Sequence, residues 1–321
     1  MNVLLTGCSG FIAQKWIERL ATNPAIRKLV LLDKEPPRFP LPATAIFIKV
    51  DLRSCFTLPP EASDIDHCYH LAAVCREPGY SCVEFFDHNY RGTINLLSAL
   101  EITPCHTIVF TSTMAVYGPT NGPATESYPP SPAGHYGASK LACELLLKSW
   151  QASLPGRRLI VCRPAVIYGP GDTHNIPRMI KAVRKGYFAI PSGREVKKAV
   201  GYVYGLLDSF EFCLRLSDRT IFYNYAAFNC YSIRQLAGIV QAEFNIHRPL
   251  WRIPFGFLHV FAVVVHNLSF GLSPIHPVRV KKVVSSTEIV PKFLMDRGFS
   301  CDWTFDKSLS DWRKRTPEDF M

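Results

Sequence analysis

Apolar positions along the first hundred residues change their period in a regular way. Val3-Leu4-Leu5 is a short continuous apolar run, and Phe11 to Ala21 follows with apolar residues at 12, 16, 17 and 20, the spacing of a helix face. Leu29-Val30-Leu31-Leu32 is a second run, closing on Asp33. Ala45 to Val50 predicts a third strand, His67 to Ala73 a fourth and Thr107 to Thr111 a fifth, with a helix over Asn89 to Leu100 between the last two. Strands that are apolar throughout, rather than alternating, are covered on both faces. Alternation with helices therefore predicts an α/β chain built on a doubly wound parallel sheet, with right-handed crossovers. Beyond about residue 165 the alternation loosens into short pieces between Pro- and Gly-rich stretches such as Tyr168-Gly169-Pro170-Gly171-Asp172. The expected organisation is a doubly wound, Rossmann-type domain over 1–165 and a smaller C-terminal lobe over 166–321, with segments returning to the sheet.

Composition narrows the class. In 321 residues, 48% hydrophobic and 19% charged, the chain can bury a core large enough to offset its ordering entropy without staples. Eleven cysteines include no CxxC pair, so neither a zinc site nor a redox dithiol is supported. The opening MNVLLTGCSG has no basic region ahead of an apolar core, which predicts a cytoplasmic chain with free thiols. A net charge of +10, from 36 Lys and Arg against 26 Asp and Glu, favours anionic partners. The cations are scattered and no nucleic-acid recognition module is present, so phosphorylated metabolites or acidic lipid fit better than nucleic acid.

Three local patterns carry chemistry. Thr6-Gly7-Cys8-Ser9-Gly10-Phe11-Ile12-Ala13 joins the first strand to the first helix. Gly7 permits the tight turn, Gly10 lets backbone approach a diphosphate at the helix N-terminus, and Ala13 keeps helix and strand close. Taken alone such a loop is an ordinary turn. Followed by Asp33 at the end of the next strand, where a carboxylate can accept the adenosine ribose hydroxyls, it points to NAD, and the neighbouring Lys34 and Arg38 do not reverse that preference. Tyr136-Gly137-Ala138-Ser139-Lys140 sets a phenol and an ammonium four residues apart, on one helix face. A free tyrosine has a pKa of about 10, and lowering it by about 3 units takes roughly 4 kcal/mol, which a neighbouring ammonium and a cationic nicotinamide supply together. Tyr136 can then exchange a proton with a substrate hydroxyl. Finally, Phe110-Thr111-Ser112-Thr113-Met114-Ala115-Val116-Tyr117-Gly118 ends the fifth strand, and Thr113 or Ser112 can hydrogen-bond the substrate oxygen there, unless the hydroxyl serves the turn's own backbone. No G-x-S-x-G elbow occurs here, which excludes an α/β serine hydrolase.

In this order the patterns resemble the extended short-chain dehydrogenase/reductases, in particular the NAD-dependent epimerase/dehydratase family of nucleotide-sugar enzymes. The resemblance extends through Asp51-Leu52, His70-Leu71-Ala72-Ala73, Asn89 to Leu96, Glu126, Arg163-Pro164, YGPGD, Phe222-Tyr223-Asn224 (as a substrate-lobe strand) and Ser232 to Leu236. It implies that Gly7, Gly10, Phe11 and Ile12 hold the cofactor diphosphate and Asp33 its ribose. Asp51 and Leu52 would meet the adenine, and Leu71, Ala72 and Ala73 would lie under the nicotinamide ribose. Asn89 and Pro164 would lie near the cofactor, and Thr113, Tyr136 and Lys140 would be catalytic. Asn175 and Lys198 would touch a substrate diphosphate, with Thr113 on the sugar. A homodimer through Asn89–Leu100 and the Tyr136 helix is implied as well.

Three departures modify this reading. Met114-Ala115 stands where sugar dehydratases carry Asp-Glu, and elimination of water needs that acid and base, so 4,6-dehydration is not expected. Tyr204-Gly205 replaces Asp-Asp after Tyr202-Val203. Lys198 replaces an arginine, keeping charge but losing the bidentate fork. The expected activity is NAD-dependent 4-epimerisation of a nucleotide sugar, a UDP-sugar first. A one-way NAD(P)-dependent dehydrogenase or reductase of the hydroxysteroid-dehydrogenase-like or dihydroflavonol-reductase-like branch is the alternative, and a non-catalytic cofactor-binding protein a further one. Phe255 to Leu272 is largely apolar between Arg248, Arg252 and Arg279, Lys281, Lys282. It reads as a lid helix, as a membrane-surface helix that would add peripheral membrane association, or, at the lower length limit, as a span.

Overall fold

The computed structural model describes residues 1–76, 79–120, 122–192, 195–254, 256–257 and 286–321. Its centre is a seven-stranded sheet. β1 (Asn2–Thr6), β2 (Lys28–Asp33), β3 (Ala45–Lys49), β4 (His67–His70), β5 (Thr107–Thr111) and β6 (Arg158–Pro164) supply six strands. Thr220–Tyr225 supplies the seventh, so the 222–224 strand expected in the substrate lobe belongs to the central sheet, pairing in parallel with β6 from Thr220↔Leu159 to Tyr225↔Pro164. The order runs 220–225, β6, β5, β4, β1, β2, β3, with every neighbouring pair parallel. The winding reverses between β1 and β4, and open α/β sheets bind their ligands in the crevice at such a reversal.

Alternate side chains of these strands enter different layers, as a period of two requires. Val3, Leu5, Leu29 and Leu31 face helix α1 (Phe11–Ala21) through Trp16, Ile17 and Leu20, joined by Leu206, Leu207 and Phe210 of the helix Val203–Arg215. Leu4, Val30, Ile108 and Phe110 face the other layer, built from Leu96, Leu97 and Leu100 and from Cys143, Leu147 and Trp150 of the long helix His135–Ser153. Both faces are thus covered.

The helix expected over Asn89–Leu100 starts earlier. Ser81 caps it in a capping box with Glu84, and three stretches follow without a break: α2 (Cys82–Phe85), a π-helical turn (Phe86–Arg91) and α3 (Gly92–Leu100). β4 is shorter than expected, ending at His70 instead of Ala73. There the chain leaves the ladder, and the Ala72 amide donates to Thr6 Oγ1 at 3.2 Å beneath the glycine turn.

The C-terminal part adds short strands: β7 (Val166–Tyr168) with β10 (Val200–Tyr202), β8 (Ala189–Ser192) with Trp251–Pro254, and β9 (Lys197–Lys198) with Tyr231–Ser232. Helices Asn175–Lys185, Ile233–Glu243 and Phe305–Arg315 close an aromatic cluster around Tyr168, Tyr202, Phe305 and Trp312. The Tyr204-Gly205 departure has a packing cause. A Cβ at Gly205 would sit 2.3 Å from Tyr225 Oη and 2.7 Å from Trp303, so helix and sheet meet through a residue without a side chain. Among the described residues no helix is long and apolar enough to cross a membrane. The apolar stretch 255–272 lies outside the described residues apart from 256–257.

Candidate active site

At the reversal of the sheet a cleft of ≈ 190 Å³ is lined by Gly7, Gly10, Asp33, Asp51, Leu52, Leu71, Ala72, Ala73, Val74 and His88, among others. Of the residues that the sequence assigned to a dinucleotide, most converge on it. Gly7 has φ +72°, a left-handed conformation, and a Cβ there would lie 2.7 Å from the Ala72 backbone. Gly10 is the N-cap of α1 and puts no side chain over the helix mouth, where the Phe11 and Ile12 amides begin the helix without intrahelical acceptors. This bare, electropositive mouth fits a diphosphate. Asp33 lies at the rim, one oxygen accepting from the Ser9 amide at 3.0 Å and the other from the Glu35 amide at 3.2 Å. These bonds fix its orientation and leave lone pairs for ribose hydroxyls. Asp51 is held by Arg53 at 2.6 Å, with a second contact from the guanidinium Nε, and that hydrogen bond draws its pKa down to about 2. Cys8, within the glycine turn, is buried, and burial followed by the Asp33 charge raises its thiol to about 12, so it stays an inert filler. The residues fit NAD.

The floor of the cleft is tied to the π-helical turn. That turn carries Asn89 inward, where its amide brackets Val74, accepting from the Val74 N–H at 2.9 Å and donating to the Val74 carbonyl at 3.1 Å and to Ser139 Oγ at 2.9 Å. The Asn89 carbonyl accepts from Thr93 Oγ1 at 2.7 Å and from Cys143 Sγ at 3.3 Å. Because the Thr93 hydroxyl donates there, it accepts from His70 Nε2 at 2.9 Å, leaving Nδ1 to accept from Thr6 Oγ1 at 2.7 Å. His70 is therefore neutral, and burial, with Lys140 nearby, lowers its pKa to about 3. π turns recur at functional sites because they re-aim one side chain without ending the helix. Sequence reasoning placed Asn89 here but gave no sign of the turn that aims it.

Helix His135–Ser153 brings up the second group. Tyr136 and Lys140 share a face, and Gly137 between them lets the helix touch the Met114–Tyr117 turn, since a Cβ there would meet the Ala115 carbonyl at 2.4 Å. The Tyr136 ring stands 6.0 Å from that of Phe85. Lys140 is buried with Nζ 4.0 Å above the Phe110 ring, and burial lowers its pKa to about 8, offset in part by Cys143, Glu144 and Cys75. At neutral pH it is still an ammonium.

Sequence left Ser112 and Thr113 as alternatives, and the structure separates them. Ser112 Oγ is buried and donates its proton to Glu144 Oε1 at 2.5 Å. Thr113 caps the Met114–Tyr117 turn, its Oγ1 accepting from the Ala115 amide at 3.2 Å. That bond uses a lone pair and leaves the hydroxyl proton to give. Glu144 itself was missed. It continues the Tyr136–Lys140 face by one more turn and binds Arg163 with two hydrogen bonds, at 3.0 and 2.6 Å. Arg163 passes on to the Tyr117 hydroxyl at 3.0 Å, Tyr117 to Asn224 at 2.7 Å, and Glu126 accepts from the Asn224 and Phe293 amides. One carboxylate thus fixes the residues before Thr113 and Pro164 together with the rotation of the helix. The only signal was the i, i+4, i+8 spacing.

Asn175 and Lys198 lie elsewhere, outside the lining of the glycine cleft. Asn175 opens its helix, exposed to solvent. Lys198 pairs in register with Tyr231, and burial lowers its pKa to about 8. Close to β9, a second cleft of ≈ 400 Å³ is lined by Ile190, Pro191, Ser192, Glu195, Val196, Ser232, Ile233, Arg234 and Arg252. Its two guanidiniums suit a phosphate-bearing ligand.

A doubly wound sheet with a bare helix mouth at its reversal, an acid at the end of the second strand and a Tyr–Lys helix define a dinucleotide-dependent enzyme of the short-chain dehydrogenase/reductase type. Residues 3–216 match the NAD dependent epimerase/dehydratase family, and the chain belongs to that family. Its cofactor is NAD, and its function is that of the family's nucleotide-sugar enzymes. Among curated proteins, the chain is 28% identical over 313 residues, 96% of this chain and 93% of the other, to the N-acetyl-alpha-D-glucosaminyl-diphospho-ditrans,octacis-undecaprenol 4-epimerase of Escherichia coli O157:H7. It is 26% identical over 338 residues, 92% of this chain and 82% of the other, to short-chain dehydrogenase/reductase family 42E member 1 of Danio rerio. Among solved structures, a UDP-N-acetylglucosamine 4-epimerase from Methanobrevibacter ruminantium M1 shares the fold with a TM-score of 0.76 at 21% identity, over 99% of this chain and 97% of that one. MoeE5 in complex with UDP-glucose and NAD gives a TM-score of 0.77 at 21% identity over the whole of both chains.

Proposed function

We propose that the protein is a 4-epimerase of a UDP-linked or related diphosphate-linked sugar, working through a transient 4-keto sugar. The observation that carries this reading is the pairing of Tyr136 and Lys140 on one helix face with the free hydroxyl proton of Thr113 at the end of β5. When bound, NAD supplies a hydride acceptor that becomes the donor in the return step. Tyr136 takes the proton from the sugar 4-hydroxyl and later gives it back. Lys140, an ammonium at neutral pH, favours the phenolate electrostatically and holds the nicotinamide ribose. Thr113 donates to the sugar oxygen and orients it, while Asn89 holds the Val74 backbone beneath. The 400 Å³ cleft with Arg234 and Arg252 would take the diphosphate end of the substrate, with Lys198 and Asn175 proposed as further contacts. Met114 and Ala115, where a dehydratase would need an acid and a base, favour epimerisation over elimination.

The protein is proposed to act in the cytoplasm as a homodimer paired through Cys82–Leu100 and His135–Ser153. Exposed Val83 and Leu145 on these helices agree with that pairing.

The test is to denature purified protein, assay released NAD(H), and screen UDP- and GDP-sugars without added cofactor. Interconversion of 4-epimers, abolished in Tyr136→Phe, is the expected result. The Danio rerio relative gives the one-way dehydrogenase its place as the second reading. Strict dependence on added NAD(P)H would establish it, and full turnover by Tyr136→Phe would refute both.

A further inference from the structure

The face beside the 400 Å³ cleft combines two features that seldom coincide on a water-facing surface. The first is charge. Residues 178–192 and 245–254 contain six Lys or Arg and no Asp or Glu. On helix Asn175–Lys185 the buried side chains are Ile176, Ile180, Ala182 and Val183, while Arg178, Lys181 and Lys185, spaced i, i+3 and i+7, share the exposed face. Arg248 joins them, lying 3.2 Å from where a Gly186 Cβ would be. Arg184, although exposed, is engaged by the protein, lying over the Phe244 ring and donating to the Phe320 carbonyl.

The second feature is aromatic exposure. Tyr187 is 62% exposed and Trp251 65%. They stand at the same end of the β8 strand pair, where Trp251 is in register with Ala189. Trp251 Nε1 donates to the Gly186 carbonyl at 3.2 Å, so its polar edge is spent on the protein and its apolar ring is left facing out. Phe257, 73% exposed, follows closely in the chain.

We propose that the face formed by Arg178, Lys181, Lys185, Tyr187, Arg248 and Trp251 docks the enzyme on an anionic lipid bilayer. Tyr and Trp rings with a polar tip settle at headgroup depth, and lysine and arginine heads beside them meet lipid phosphates. A wholly electrostatic partner, such as duplex nucleic acid, would need the cations but leave the outward rings unused. Arg252 connects this face to the chemistry, since it lines the 400 Å³ cleft from the same strand as Trp251. On the reading of that cleft as the substrate's diphosphate subsite, a docked enzyme would receive a lipid-linked sugar diphosphate from the membrane plane. Docking itself does not depend on that reading.

The experiment is co-flotation of the full chain with phosphatidylcholine–phosphatidylglycerol vesicles and with phosphatidylcholine alone, at low and high salt. Turnover of a water-soluble UDP-sugar is measured in parallel. Flotation is expected only with the anionic vesicles and should fall as salt rises. At about fivefold per cation, Lys181→Gln with Lys185→Gln should weaken partitioning roughly 25-fold. Trp251→Ala should weaken it further, and all three changes should leave soluble turnover intact. No flotation of the unaltered chain, or flotation undiminished in these variants, overturns the proposal. So does retention on RNA or an acidic protein with no retention on vesicles. Absence of soluble turnover by the unaltered chain, with its flotation on anionic vesicles intact, would instead count against the epimerase reading alone.

Discussion

Lys140→Met should abolish turnover and yet make the protein harder to unfold at neutral pH. Lys140 is 1% exposed, and burial brings its pKa from the ordinary 10.5 to about 8. At about 1.4 kcal/mol per pH unit, that fall corresponds to roughly 3 kcal/mol by which the charged form is disfavoured in the folded state. The ammonium also gains from the Phe110 ring 4.0 Å away, about 1–2 kcal/mol in a desolvated setting, which methionine forfeits. The net stabilisation of the variant is then about 1–2 kcal/mol. Below pH 8 the lysine is charged both folded and unfolded, so the whole penalty is present. Between pH 8 and 10.5 the folded protein releases its proton while the unfolded chain keeps it, and the native enzyme gains stability with rising pH. Above 10.5 both forms are neutral and the two proteins should converge. Urea unfolding followed by tryptophan fluorescence at pH 7, 9 and 10.5 measures this, with Trp16 and Trp150 in opposite layers as reporters. A variant less stable than the native enzyme at pH 7, or an advantage that does not shrink with pH, would refute the reasoning. The same titration predicts that turnover declines above about pH 8, as the ammonium beside Tyr136 is lost.

Three further changes test separate parts of the site. Glu144→Ala strands the Arg163 guanidinium, whose side chain is 7% exposed, and should cost about 3–5 kcal/mol in urea unfolding; a cost below about 1 kcal/mol would contradict the buried pair. Thr113→Val should lower kcat about 10- to 100-fold with KM little changed, whereas Ser112→Ala should cost about 1 kcal/mol of stability and spare kcat; steady-state kinetics of the two variants decides. Gly7→Ala forces a Cβ to within 2.7 Å of the Ala72 backbone at a positive φ, so the purified variant should release far less NAD(H) on denaturation than the native enzyme.

Much of the architecture was legible because its signals are local. Leu29–Leu32 and Thr107–Thr111 are apolar throughout, which only a doubly covered strand explains, and helix Phe11–Ala21 was read to the residue. Thr220–Tyr225 was harder. Its aromatic, mixed sequence (TIFYNY) fits a small lobe as well as a central sheet, and its place is set by the open edge of β6 more than 50 residues earlier. Two-residue strands such as Lys197–Lys198 leave no period to detect. The glycine cleft could be located because backbone geometry dictates its residue types. The Ser112–Glu144–Arg163–Tyr117–Asn224 network could not, since its members meet only after folding and each alone reads as an ordinary polar residue.

The π-helical turn at Phe86–Arg91 sets the phase of everything after it. Each residue of an α-helix advances about 100° around the axis. Deleting a single residue to restore regular winding would therefore swing Thr93, Leu96, Leu97 and Leu100 by more than a quarter revolution, taking three apolar side chains off the sheet and the Thr93 hydroxyl away from His70. A one-residue deletion at this position is equivalent to rewriting the inner face of a whole helix, while the same deletion in a surface loop would pass almost unnoticed.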